Sequence, residues 1–191
     1  MPYVPCPTCG LRTYTISGEE CPVCGTPLGR RSRVGSRPRE GLGTDAAPPG
    51  PIEELLAEAR HELRMDAALL SEVRNGREAV LWAVGNGRIP VRPGVSVPLT
   101  NTICRHLLDG SIAGVVRDTR REAALRAVPL VRETGLRSYM GVVISVPGDG
   151  QFVLCCVARD VRPDLGEEDV RFLQGLSEQL RPVLRRAARP V

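Results

Sequence analysis

The sequence contains no lysine, so all 26 Lys+Arg positions are arginine, and only two histidines accompany them. A bias that runs through the whole chain reflects composition and carries no recognition chemistry by itself. Aromatic residues make up 3%, which provides poorly for stacking onto a flat chromophore. No apolar run approaches the roughly 20 residues of a membrane span, and no charged-then-apolar leader precedes Cys6. The chain therefore reads as soluble and cytoplasmic. Catalytic groupings are missing too: there is no nucleophile–base–acid set, phosphate loop or paired-carboxylate motif. His61 and His106 fall in separate helical segments, and Asp118 and Glu122 read as helix-terminus residues. No internal repeat is present.

The chain does have cysteine in a pattern. Cys6-Pro7-Thr8-Cys9-Gly10 and Cys21-Pro22-Val23-Cys24-Gly25 are two knuckles, with an eleven-residue arm between Cys9 and Cys21. That spacing brings four thiolates to one tetrahedral zinc ion, and a closed four-thiolate site is structural because catalytic zinc keeps an open position. Each proline stiffens the turn between ligands. Each glycine permits the positive φ that aims backbone N–H groups at sulfur. The arm predicts a strand through residues 11–16 and a polar turn at 17–20. An iron centre of the same geometry or a pair of disulfides are the alternatives. Cys104, Cys155 and Cys156 form an odd set that suits reduced interior residues.

Composition divides the 191 residues into a zinc ribbon over 1–28, a tether over 29–51 and a larger domain over 52–188. The tether is rich in Gly, Pro and Ser, and it holds Arg30, Arg31, Arg33, Arg37 and Arg39 with no acid between them. Those arginines are the candidate contact for nucleic acid or an acidic protein surface; the other reading is a solvated linker. After Gly50 the charges nearly balance, twenty arginines against eighteen acids.

Within the larger domain, Pro51 suits a helix first turn, and Ile52, Leu55, Leu56, Ala59 and Leu63 recur at helical spacing to about Arg64. Strands are expected over 65–73 and 78–84 about the Arg74-Asn75-Gly76-Arg77 turn. A short helix through Cys104 to Leu108 should follow, capped by Asn101 or Thr102, then an extended piece over 112–116. Residues 121–134 read as short helical segments broken at Pro129. Residues 138–146 and 151–158 form a second hairpin, apolar enough to be covered on both faces. A final helix spans about 166–186, with Pro182 expected to kink or end it.

Five stretches carry a resemblance. They are Asp66–Val73, Val97–Cys104, Ser138–Ile144, Leu154–Ala158 and Leu165–Leu173. Together they make residues 52–188 similar to a GAF domain, the small α/β sensing module of bacterial signalling proteins. The resemblance implies a central antiparallel sheet of five or six strands. The first and last helices would lie on one face, and residues 88–135 would form a pocket wall on the other. It implies pocket candidates Trp82, Ile103, Cys104, Leu107, Val116, Tyr139 and Cys155. It also implies that this chain departs from ligand-specific branches. The cyclic-nucleotide signature requires lysine. Bilin attachment uses a cysteine followed by histidine, whereas here Arg105 separates Cys104 from His106. The methionine-sulfoxide-reducing branch uses three cysteines on mobile loops, whereas adjacent Cys155 and Cys156 point to opposite faces of a strand.

The expected function is accordingly non-enzymatic: a signalling or regulatory protein whose GAF-like domain senses a small molecule or dimerises through its first and last helices. One structural zinc would hold a ribbon that contacts a protein partner or nucleic acid. Two further readings stand beside it, a ligand-free adaptor of the transcription machinery and a thiol/zinc redox sensor.

Overall fold

The computed structural model describes residues 3–5, 12–14, 50–146 and 150–187. Near the N-terminus, β1 (Tyr3–Pro5) pairs antiparallel with β2 (Arg12–Tyr14), Val4 opposite Thr13. The strand expected over 11–16 is thus present in its central part. Cys6, Cys9, Cys21, Cys24 and the five tether arginines lie outside the described residues.

The larger domain opens with α1 (Pro51–Glu62), which follows local rules closely. Proline stands in its first turn, Glu53 and Glu54 face the positive dipole end, and Arg60 and His61 face the negative end. The helix stops at Glu62 rather than near Arg64, because Arg64 turns left-handed at φ 48°. Arg162 secures that exit by donating to the carbonyls of Leu63 and Arg64 at 2.6 and 2.7 Å.

A six-stranded antiparallel sheet follows, in spatial order β5-β4-β3-β8-β7-β6. Its members are β3 (Ala67–Arg74), β4 (Arg77–Gly85), β5 (Ser96–Pro98), β6 (Val115–Val116), β7 (Ser138–Val146) and β8 (Gly150–Ala158). The β3–β4 turn places Asn75 and Gly76 at φ 51° and 71°, the positive pair that a two-residue hairpin needs. The extended piece expected from 112 is confined to the two residues of β6.

The remaining α-helices among the described residues are α2 (Ile103–Leu108), α3 (Pro129–Thr134) and α4 (Glu167–Ala187). Thr102 precedes α2, but its hydroxyl donates back to the Leu99 carbonyl and makes no cap bond to the helix. Residues 121–134 form two short helical segments as expected, a 3-10 turn at Ala123–Leu125 and α3, which Pro129 begins because a first-turn proline forfeits no helical hydrogen bond. Pro182 likewise does not end α4, which runs on to Ala187. One lost N–H is outweighed there by Leu180 and Leu184, both buried on the sheet.

Two apolar layers cover the sheet. On one face Ile52, Leu56, Ala59 and Leu63 of the first helical segment and Leu173, Leu176, Leu180 and Leu184 of α4 meet Leu70, Met140, Ile144 and Leu154. Each fully buried leucine there contributes about 2 kcal/mol. The other layer joins Leu69, Val153 and Val157 to Ile89, Ile103, Ile112, Leu125, Val128 and Val131 from the segments between β4 and β7. Leu55, Val170, Phe172 and Val183 stay half-buried at the margin of the helical layer. Among the described residues, no helix is long and apolar enough to cross a membrane.

Candidate functional site

On the sheet face away from α1 and α4, side chains from four elements converge. Glu78 comes from β4, Tyr139 from β7, Cys155 from β8 and Cys104 from α2, and all are buried. Strand register sets the arrangement, with Cys155 opposite Leu69 on one side and Gly141 on the other. The Cys104 thiol donates to Glu78 Oε1 at 3.3 Å and lies 3.5 Å from the Tyr139 hydroxyl. Tyr139 folds over Gly141. A Cβ at position 141 would stand 2.7 Å from Cζ of that ring and closer still to its hydroxyl oxygen. Glycine is found there because a tyrosine occupies the volume its side chain would need.

The surroundings of Cys104 and Tyr139 favour their neutral forms. The Cys104 thiol is raised well above its ordinary value, first by its hydrogen bond to Cys155, then by burial and by the nearby Glu78. Burial raises Tyr139 as well, with Cys104 and Cys155 adding to it, and burial raises Cys156 on the opposite face. Reactive cysteines have lowered values, so these thiols are poised away from nucleophilic chemistry. Glu78 Oε2 and Ser71 Oγ are buried without a hydrogen-bond partner among the described residues, as is His106 Nδ1. His61, by contrast, is exposed, and its ring meets Glu62 at 3.1 Å.

Five of the residues expected to line a pocket, Ile103, Cys104, Val116, Tyr139 and Cys155, do come together in this layer, where they pack as core. Leu107 is half-buried at its edge. Trp82 is a correction, because it lies in the layer beneath α1 and α4. The reason is a β-bulge. Leu70 pairs with Trp82 but Ser71 pairs with Val80, so Leu81 is an extra residue and side-chain alternation inverts beyond it. Cys155 and Cys156 do face opposite layers, as their adjacency requires. Glu78 was not anticipated. Its signal was a carboxylate two residues from Val80, hence on the same face, in a strand that is apolar from Ala79 onward. Asp118 does not act as a helix cap. It takes a bidentate pair from Arg137, with contacts of 3.1 to 3.2 Å.

With this architecture in hand, three solved structures give its relatives in shape. A far-red cyanobacteriochrome photoreceptor matches with a TM-score of 0.58 at 14% identity, covering 72% of this chain and 86% of that one. The phycocyanobilin-bound GAF domain of a cyanobacterial phytochrome matches at 0.57 and 17%, covering 69% and 81%. The GAF domain region of a putative membrane protein from Geobacter sulfurreducens PCA matches at 0.53 and 21%, covering 70% and 90%. No protein-family model matches the sequence, and no curated protein does. At these identities the likeness is one of architecture: the larger domain of this chain has the GAF fold.

Proposed function

We propose that the protein is a non-catalytic signalling or regulatory module in which the GAF-fold domain is coupled to a zinc ribbon that contacts a macromolecular partner. The observation that carries this reading is the Glu78–Cys104–Tyr139–Cys155 cluster on a fold shared with photoreceptor domains. Both its thiols are buried and that of Cys104 is raised, which opposes nucleophilic catalysis and equally opposes covalent attachment of a pigment at Cys104. The same tight layer favours the ligand-free adaptor as a second reading, since residues that would line an interior pocket fill it themselves.

In this reading one structural zinc is held by Cys6, Cys9, Cys21 and Cys24. What supports it is the sequence pattern of two C-P-x-C-G turns. A bound ion would supply folding free energy to a unit too small for a core. The partner would be a protein, or nucleic acid met by the ribbon and by Arg30, Arg31, Arg33, Arg37 and Arg39. Pairing of two copies through α1 and α4 would use the half-buried Leu55, Val170, Phe172 and Val183. Native mass spectrometry of the full chain, purified with reductant and supplied zinc, tests the proposal. One zinc per chain is expected. A metal-free chain, or one with its first four thiols oxidised, overturns the coupling to zinc.

A further inference from the structure

The segment between β6 and β7 encloses a concavity of about 390 Å3 that the cluster above does not use. Four arginines line it, Arg120, Arg126, Arg132 and Arg137, over the apolar side chains of Val131 and Leu136, and no acid is among its walls. The volume lies within the range of small-molecule sites. The guanidinium groups differ in how they are held. Arg137 is fixed by Asp118 through Nε and Nη2, and its Nη1 has no partner among the described residues. Arg126 is oriented by a neutral contact, Nε donating to the Arg120 carbonyl at 3.1 Å. The side chains of Arg120 and Arg132 have neither an ion pair nor a hydrogen bond among the described residues. Asp118, the nearest acid bonded to this group, is already shared with Arg121 and the Arg120 backbone N–H.

Elsewhere on the domain some arginines meet acids locally, as Arg162 meets Asp164 and Arg181 meets Glu178, and others, such as Arg77 and Arg117, donate to neutral oxygens. Here Arg120, Arg126 and Arg132 line one hollow with no ion-pair partner among the described residues. Guanidinium forks match the oxygens of phosphate, and several around one concavity match a ligand with more than one phosphoryl group. A hollow suits a small ligand better than the extended backbone of a nucleic acid.

We propose that the Arg120–Arg126–Arg132–Arg137 concavity is a binding site for a small di- or triphosphate. The two sources of that chemistry are an inorganic polyphosphate and a nucleotide whose base rests on Val131 and Leu136. This site is separate from the buried cluster, so its fate does not decide the signalling reading.

Calorimetric titration of the full chain with inorganic pyrophosphate, at physiological ionic strength, tests it. Saturable binding of one pyrophosphate per chain is expected. Arg120→Ala and Arg132→Ala should each weaken it at least tenfold, and Arg171→Ala on α4 should leave it unchanged. Both lining side chains are exposed and unbonded, so circular dichroism of the variants should match the parent. A parallel titration with a nucleoside triphosphate and with inorganic triphosphate separates the two sources; tighter binding of the nucleotide supports the apolar seat. Absence of saturable binding to pyrophosphate overturns the proposal. So does binding indifferent to both variants, which would put the anion on the tether. An oligonucleotide that binds more tightly through the same two arginines overturns it as well.

Discussion

Replacing Gly141 with alanine puts a methyl group where the Tyr139 ring already lies. The new Cβ would stand 2.7 Å from Cζ and 3.0 Å from Cε1, against a normal carbon–carbon separation of about 3.5–4.0 Å. The ring is 1% exposed and its hydroxyl meets Cys104, so it cannot swing out to water. Forced overpacking of this kind costs about 1–3 kcal/mol. Against it stands the gain from removing a glycine from a strand, about 0.5–1 kcal/mol. Gly141→Ala should therefore destabilise the domain by about 1–2 kcal/mol. Tyr139→Leu removes the crowding atoms and, at a cavity cost of about 2 kcal/mol, prepares a background in which Gly141→Ala changes sign and stabilises. The four chains of this cycle, unfolded in urea and followed by far-UV circular dichroism, should show a coupling of about 2 kcal/mol. Additivity within about 0.5 kcal/mol would refute the claim that the tyrosine occupies the space of a glycine side chain.

Two further outcomes follow from the charges and thiols. Burial pushes the Asp118 carboxyl up, but the Arg120 N–H and the Arg137 guanidinium outweigh it and hold the group below its ordinary value of 3.8. A depressed folded value contributes stability above the unfolded one, and that contribution fades as pH falls below about 4. Asp118→Asn should therefore lower the urea midpoint at pH 6 and shrink its fall between pH 6 and pH 3; an unchanged acid slope would exclude this pair as a source. Of the seven cysteines, Cys104, Cys155 and Cys156 are buried, so a thiol-specific chromogenic reagent should find four fast thiols after chelation and the other three only on unfolding. More than four fast thiols in the folded, chelated chain, or a shift of Trp82 emission on chelation, would show that the larger domain is not independent of the metal.

The hairpins, the terminal helices and the two covered faces were legible because each rests on local chemistry. Asn75-Gly76 sets its turn through backbone sterics, and the apolar runs of β7 and β8 leave no face for water. Proline was legible only in part: its lost N–H is local, whereas what holds α4 together beyond Pro182 is the burial of Leu180 and Leu184 on a sheet far away in sequence. Trp82 was misplaced for a comparable reason. Alternation assigns faces correctly until a bulge inverts them, and the bulge arises from the pairing of β3 with β4, a fact of neither strand alone. The Arg137–Asp118 pair joins positions nineteen residues apart, and only the fold brings Arg120, Arg126 and Arg132 around one hollow.

Glu78 draws these threads together. A strand that buries Ala79, Leu81 and their neighbours has no local reason to hold a carboxyl group, and this one is 7% exposed with Oε2 unpartnered among the described residues. A buried acceptor left without a donor costs about 1–3 kcal/mol, so a sequence shaped only for stability would place an apolar residue here. Local rules are broken where something other than stability is served. Cys104 is the group that Glu78 touches, and it sits on the helix that begins the wall between β5 and β6. The cluster therefore ties α2 to β4 and β7 by polar contacts as well as by apolar packing.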